Sequence, residues 1–298
     1  MDFKYDDITP LKLNEAQPQL CQILYDDEYK TTMGILLALM AKNELSERAL
    51  AMTELGISTL ASHYSIWCYR FDIIKCLKKD LYDELDWLES IAIDNEKNYQ
   101  IWNYRQLIIG QIEGFDATRE FPILNTMILE DSKNHHVWTY RHWLVEKFNL
   151  FENEKELKFI DDLLDDDVYN NSAWSHRFFI KFNNEKVDVD EELNYVEHKI
   201  RISPQNESSW NYLMGIYEKF QIPLIKLQPF LNEFVNPDII DNTDSEDLEL
   251  IKSSFALELL AKTYNNEKSL IIYDLLIAKY DPIRENYWKY LKSKLTSN

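Results

Sequence analysis

The sequence predicts an all-α superhelix, a solenoid of helical hairpins, on three observations. Tryptophans recur at a nearly fixed period: Trp67, Trp102, Trp138, Trp174 and Trp210 are separated by 35, 36, 36 and 36 residues. Self-similar segments at one such period mark a repeat architecture, and this length accommodates two helices and two turns. Glycine is scarce, at 5 of 298 residues, and proline is limited to 8; folds that need tight phosphate-cradling turns or β-rich connections use far more. The segments between the tryptophans carry apolar residues at helical spacing, such as Leu85, Leu88, Ile91 and Ala92, then Leu157, Ile160, Leu163 and Leu164.

Taken in order, residues 1–30 read as an extended N-terminal segment before the first clear helix. Five tryptophan-centred units occupy about 45–220. They read HYSIWCYR from His63, NYQIWNYR from Asn98, NHHVWTYR from Asn134, NNSAWSHR from Asn170 and NESSWNYL from Asn206. The Asn four residues before Trp suits a helix N-cap, since its side-chain oxygen can accept from free N–H groups of the first turn. An arginine three residues after Trp recurs at Arg70, Arg105, Arg141 and Arg177, with Leu213 in the fifth unit. A residue repeated in this way cannot belong to one catalytic centre, so these arginines are expected to pair with acidic residues or helix C-termini. The tryptophans are expected in the core. The period breaks after Trp210. Residues 221–247, with three prolines, read as an irregular connection, and capping helices resume over 248–298, the last from Asp281. No linker divides the chain, which reads as a single helical-repeat domain, 1–298.

The formal net charge is −20. Nucleic-acid binding needs cationic surface that displaces counterions from phosphates, so nucleic acid is excluded as a partner, and an anionic membrane surface is disfavoured likewise. The longest apolar run, around Met33–Met40, is too short to span a bilayer, and the acidic N-terminus has no apolar core of a signal peptide. Cys21, Cys68 and Cys76 form no CxxC pair, and no His/Cys cluster has zinc-ligand spacing. A reduced, cytoplasmic setting is expected.

The repeats are their own internal control: shared positions are scaffold, unshared ones are where a single site can be built. Five residues before Trp stand Ser62, Lys97, Lys133, Tyr169 and Gln205; three before stand Tyr64, Tyr99, His135, Asn171 and Glu207; two before stand Ser65, Gln100, His136, Ser172 and Ser208. Cationic, phenolic and imidazole groups thus concentrate in units one to three, at helix N-termini, which favour anions. From the residues alone, Lys97 and Lys133 read first as solvated loop lysines, with diphosphate or carboxylate binding as the alternative, and His135–His136 has no third ligand candidate for a metal. The residues define a scaffold with an anion-friendly rim and no complete active site.

The repeated Asn-Tyr-x-x-Trp-x-x-Arg motif resembles the repeat of protein prenyltransferase α subunits. The likeness extends through SERAL at 46–50, KNYQIW at 97–102, KNHHVWTYRHW at 133–143, NNSAW at 170–174, NESSWNYL at 206–213 and DPIRENYW at 281–288. The length suits the α subunit shared by farnesyltransferase and geranylgeranyltransferase type I. The resemblance implies a heterodimer with a prenyltransferase β subunit, one or two alternative β subunits being served. The β subunit would hold the catalytic zinc and most of the isoprenoid pocket, and magnesium would accompany the diphosphate. The reaction would move a farnesyl or geranylgeranyl group from an isoprenoid diphosphate to the C-terminal cysteine of CaaX-ending proteins such as small GTPases. By the same resemblance Lys97 would meet the departing diphosphate. Gln100 would bond the substrate's C-terminal carboxylate, and Tyr64 would stand beside the peptide. Asn98 and Tyr99 complete the Lys-Asn-Tyr-Gln stretch, Tyr99 near the isoprenoid diphosphate. Asn134 and His136 would lie close to the same cavity in the next unit, and Lys133, which precedes them, is a candidate for its rim as much as for solvent. His135 departs from the family, which commonly has tyrosine there. A tetratricopeptide-like scaffold without catalysis and a Rab-directed α subunit remain the alternatives; the Lys97–Gln100 stretch argues against the first, the length against the second.

Overall fold

In the computed structural model, residues 3–13, 23–183, 186–236, 251–264 and 267–296 are described. They are mainly helical, apart from the segment 3–13, turns and short connections, and one isolated bridge between Val235 and Ile251. The chain packs as two compact units, Met1–Asn149 and Leu150–Asn298, each taken by itself below.

The first unit holds α1 (Asp27–Ala41), α2 (Glu47–Thr59), α3 (Tyr64–Leu77), α4 (Leu81–Asp94), α5 (Tyr99–Ile109), α6 (Phe121–Glu130) and α7 (His135–Lys147). The expected extended stretch to residue 30 is therefore shorter: Asp26 accepts from the Tyr29 N–H and starts α1, an acidic N-cap that suits the positive end of the helix. Residues 3–13 are non-helical, with one turn, and dock on the helices. Leu11 N–H donates to the Gly34 carbonyl, and a Cβ at Gly34 would come within 2.9 Å of Pro10 and Leu11. Glycine is required there because the strand-like segment lies directly on α1. Hairpins α2–α3, α4–α5 and α6–α7 follow, and their second helices pack in sequence, α3 on α5 and α5 on α7.

The second unit holds α8 (Glu154–Asp166), α9 (Asn171–Phe182), α10 (Val189–Ile202), α11 (Glu207–Lys219), the short α12 (Gln228–Leu231), α13 (Ser254–Tyr264), α14 (Glu267–Leu275) and α15 (Glu285–Thr296). Here α8–α9 and α10–α11 are the hairpins, and α9 packs on α11. After α11 the period breaks as the sequence predicts, into a 3-10 turn at Leu224–Leu227 and α12; most of the acidic end of this connection lies outside the described residues. The capping helix expected from residue 248 starts, within the described residues, at Ser254. Among the described residues no helix is long and apolar enough to cross a membrane.

Three devices recur. Each repeat tryptophan is nearly fully buried, worth roughly 5 kcal/mol in transfer free energy at about 200 Å² of surface. Each indole N–H donates to the carbonyl six residues earlier: Ala61, Glu96, Ser132, Val168 and Pro204. This bond ties the turn to the helix it precedes. Asn98, Asn134, Asn170 and Asn206 are the predicted N-caps, accepting from the first-turn N–H groups, whereas His63 caps α3 without a side-chain bond.

The third device is the arginine. In the first unit, Arg70 forks onto Glu84 at 2.6 and 2.8 Å, and the Tyr104 hydroxyl donates to the same carboxylate at 2.8 Å. Arg105 repeats this with Glu120 and Tyr140; in the second unit Arg177 does so with Glu192 and Tyr212. All nine residues are buried. The arginine comes from one repeat and the tyrosine from the second helix of the next; the glutamate comes from that repeat's first helix or, for Glu120, from the 3-10 turn that leads into it. The structural role read from repetition is therefore correct, with carboxylates as partners. Burial pushes the Tyr104, Tyr140 and Tyr212 phenols well up, and the neighbouring glutamate charge adds to it. Glu192 is also desolvated, yet the Arg177 hydrogen bond and charge outweigh burial and hold its carboxyl below the usual range. Arg141, buried in the first unit, donates to Asn125 at 2.8 Å.

Candidate functional site

Every candidate residue read from the sequence lies in the first unit, in the turns that enter α3, α5 and α7. These turns adjoin because the three helices pack side by side and each enters through the same indole-tied turn. The exposed rim follows: Lys97 precedes the Asn98 cap of α5, and Lys133 precedes the Asn134 cap of α7.

The Lys97 ammonium reaches Asp131 of the following repeat at 3.2 Å, with 70% of the lysine side chain and 31% of the aspartate side chain exposed. Asp131 also accepts from the Lys133 N–H at 3.2 Å. Both bonds, the Lys97 one first, hold the Asp131 carboxyl below its usual range. Asn98 accepts from the Gln100 N–H at 3.0 Å. Gln100 is buried, and its amide nitrogen donates to the Ser62 carbonyl of the preceding repeat at 2.7 Å. That bond fixes the side chain between two repeats and uses one of its two N–H donors, leaving the other. Asn134 accepts from His136 and Val137 at 3.0 and 3.3 Å; its buried Nδ2 has no hydrogen-bond partner among the described residues.

Tyr64 and Tyr99 are the exposed phenols of successive repeats. The Tyr64 phenol is pushed up mainly by hydrogen bonding to Cys68, with a lesser contribution from Tyr99. Tyr99 and His136 share the wall of a cavity of about 330 Å³ with Trp102, Asn103, Gln106, His135, Thr139 and Tyr140. The His135 and His136 rings meet edge to face at 5.8 Å, and the His135 ring lies 3.5 Å from the Thr139 hydroxyl. The structure thus brings Tyr99, His135 and His136 to one cavity, and Lys97 and Lys133 to one aspartate. Lys133 reaches that aspartate through its backbone.

Comparison of the slots before Trp misses Asp131 and the cavity residues Asn103, Gln106 and Thr139. A signal for the latter was available: the position after Trp varies as Cys68, Asn103, Thr139, Ser175 and Asn211, as freely as the slots before it. Among the described residues, no group of three or more His, Cys, Asp or Glu side chains could hold a metal ion.

A stack of helical hairpins with an ammonium, phenols and imidazoles gathered at adjoining helix N-termini defines a helical-repeat protein with a polar, anion-compatible rim. The model of the protein prenyltransferase alpha subunit repeat matches residues 46–77, 81–112, 117–148, 153–180 and 189–220, the five hairpins described above. The chain is 57% identical, over 99% of both chains, to the protein farnesyltransferase/geranylgeranyltransferase type-1 subunit alpha of Candida albicans. It is 41% identical to the subunit of that name from Schizosaccharomyces pombe over 39% of this chain and 40% of that one. It superposes with a TM-score of 0.91 and 54% identity on a chain of Candida albicans protein geranylgeranyltransferase-I complexed with GGPP, covering 98% of this chain and 99% of that one. The chain belongs to the protein prenyltransferase α-subunit family.

Proposed function

We propose that this chain is the α subunit of a heterodimeric CaaX protein prenyltransferase of the farnesyltransferase/geranylgeranyltransferase type I kind, working in the cytoplasm with a β subunit. The observation that carries this reading is the full-length likeness to the Candida albicans subunit. The enzyme transfers a farnesyl or geranylgeranyl group from its diphosphate to a cysteine thiol near the C-terminus of a protein substrate.

Among the described residues no group of three or more His, Cys, Asp or Glu side chains is placed to hold a metal ion; zinc is assigned to the β subunit and magnesium to the diphosphate. In this reading Lys97 acts on the leaving group. As the C–O bond breaks, negative charge accumulates on the diphosphate, and a fixed cation there stabilises the transition state more than the ground state. The exposed ammonium and the free N–H groups at the α5 and α7 N-termini suit that task. Tyr99 and His136, with Asn98 and Asn134 shaping their turns, line the isoprenoid-diphosphate side. Tyr64 stands beside the peptide. Gln100, held by Ser62, has one amide N–H left for the peptide's terminal carboxylate. Lys133 adds positive charge at the rim.

Co-expression with candidate β subunits tests the reading. A heterodimer that prenylates CaaX peptides from farnesyl or geranylgeranyl diphosphate is expected, with the two isoprenoids compared for each β partner. A chain that assembles with no β subunit would overturn the proposal in favour of a non-catalytic scaffold.

A further inference from the structure

Asp131 is absent from the set of residues that the sequence singles out, yet the rim is organised around it. Its backbone is held on both sides: its N–H donates to Met127 at the end of α6, and its carbonyl accepts from the Asn134 N–H at 3.1 Å. Its carboxylate is held by the Lys133 N–H through one oxygen and meets the Lys97 ammonium through the other. Lys97, by contrast, is a four-carbon stem that is largely solvent-exposed. Among the described residues its side chain has one partner, Asp131. A lysine so placed loses little by wandering unless something fixes its ammonium.

The contact is set by the repeat rather than by a chance rotamer. Lys97 lies five residues before its tryptophan, and Asp131 seven residues before the next one. In the second unit the same two slots are filled by Tyr169 and Ser203, and they also touch, Ser203 donating to the Tyr169 hydroxyl at 2.6 Å. In these two places the residue seven before Trp touches the residue five before Trp of the preceding repeat. In the first unit that rung is a carboxylate on an ammonium.

We propose that Asp131 is a positioning residue for Lys97, holding its ammonium at the shared rim of α5 and α7 where a diphosphate is to be met. The inference rests on the assignment of Lys97 to the leaving group. The ammonium has three N–H donors; one on Asp131 leaves two for phosphate oxygens, so the pair need not break. An exposed ion pair is weak, which lets the more highly charged diphosphate draw the lysine further in the transition state.

The experiment is a double-mutant cycle in the heterodimer with Lys97→Ala, Asp131→Asn and the double variant, plus Asp131→Glu. Asparagine keeps an oxygen for the Lys133 N–H and removes only the charge. Asp131→Asn should lower kcat about fivefold, the equivalent of a surface ion pair, with peptide KM unchanged, and Asp131→Glu should recover part of the loss. The double variant should be no slower than Lys97→Ala alone, whereas a merely structural aspartate would multiply the two losses. Unchanged or raised kcat for Asp131→Asn, or multiplying losses, would overturn the proposal. If Lys97→Ala itself turns over normally, the lysine assignment falls and this inference with it. If Lys97→Ala is slow and Asp131→Asn normal, only the role of Asp131 falls. Matching thermal melts of the four heterodimers exclude misfolding as the cause.

Discussion

Two cavities, one in each packing unit, have the same construction and different linings. The one between α5 and α7 and the one between α9 and α11 each enclose about 330 Å³. Both are bounded by a repeat tryptophan (Trp102, Trp174), the residue after it (Asn103, Ser175), and the aromatic two positions after the next tryptophan (Tyr140, Tyr212). Where the first has Gln106, His135 and His136, the second has Phe178, Ser208 and Gly215. A Cβ at Gly215 would come within 2.8 Å of the Phe178 ring, so the wall of the second cavity is closely packed and aromatic at this point. The turns differ in the same sense, with Lys97 and Asp131 in the first unit and Tyr169 and Ser203 in the second. The frame alone makes a cavity and a rung; only the unshared side chains make them suited to an anion.

The largest expected effect lies in the shared frame. Glu120→Ala leaves the Arg105 guanidinium and the Tyr140 hydroxyl buried without their acceptor, a loss of about 3–5 kcal/mol, and Glu192→Ala should cost a similar amount. Urea unfolding of each variant measures this; a loss under about 1 kcal/mol at either site would mean that the frame is not shared in energy. The same frame sets the alkaline limit. The buried phenols keep their protons in the folded state above the ordinary tyrosine value, while the unfolded chain releases them. Stability is therefore full below about pH 10 and falls as pH rises beyond it. The urea midpoint should drop above that pH, and less steeply in Tyr140→Phe.

Next comes the difference between the units. Lys97→Ala should lower kcat by roughly 10²-fold, as for loss of one preorganised charge-stabilising donor, while the heterodimer stays intact. Tyr169→Ala, in the equivalent slot, should leave kcat within about twofold, as expected away from the reacting charge. Equal losses would erase the distinction. A smaller effect is expected at the caps: Asn206→Ala removes the acceptor for the Ser208 N–H and the bond to the Val168 carbonyl, at about 1 kcal/mol in a thermal melt. The smallest is Lys133→Ala, whose exposed side chain adds only rim charge and should change kcat less than Lys97→Ala does.

The tryptophan period carried the hairpins, the caps and the buried arginines because each is a local device repeated at fixed spacing. The arginines' partners were not readable: Glu84, Glu120 and Glu192 are three among 52 acidic residues, and only packing shows which of them lose their water. At the site, Lys97, Tyr99 and Gln100 stood out by comparing units. The role of Asp131 did not, since it depends on one repeat touching the next. Nor did the Gln100–Ser62 bond, for the same reason. The start of α1 was misplaced because Asp26 is one acidic residue in an acidic segment, and capping is visible only as geometry.

The Arg–Glu–Tyr sets bear on how such a chain can change length. The second and third repeats each bring a glutamate and a tyrosine for the arginine before them and an arginine of their own. Excision of residues 81–116 would leave Arg70 followed by Glu120 and Tyr140, a complete set again, and duplication of the same stretch would be equally neutral. The two ends differ. Tyr69, whose glutamate slot twenty residues earlier holds Ala49, donates to the Glu44 backbone carbonyl, and the fifth unit replaces its arginine with the fully buried Leu213. The 81–116 repeat can therefore be gained or lost without stranding a charge, but a further unit copied after Leu213 would bring a glutamate with no arginine to neutralise it.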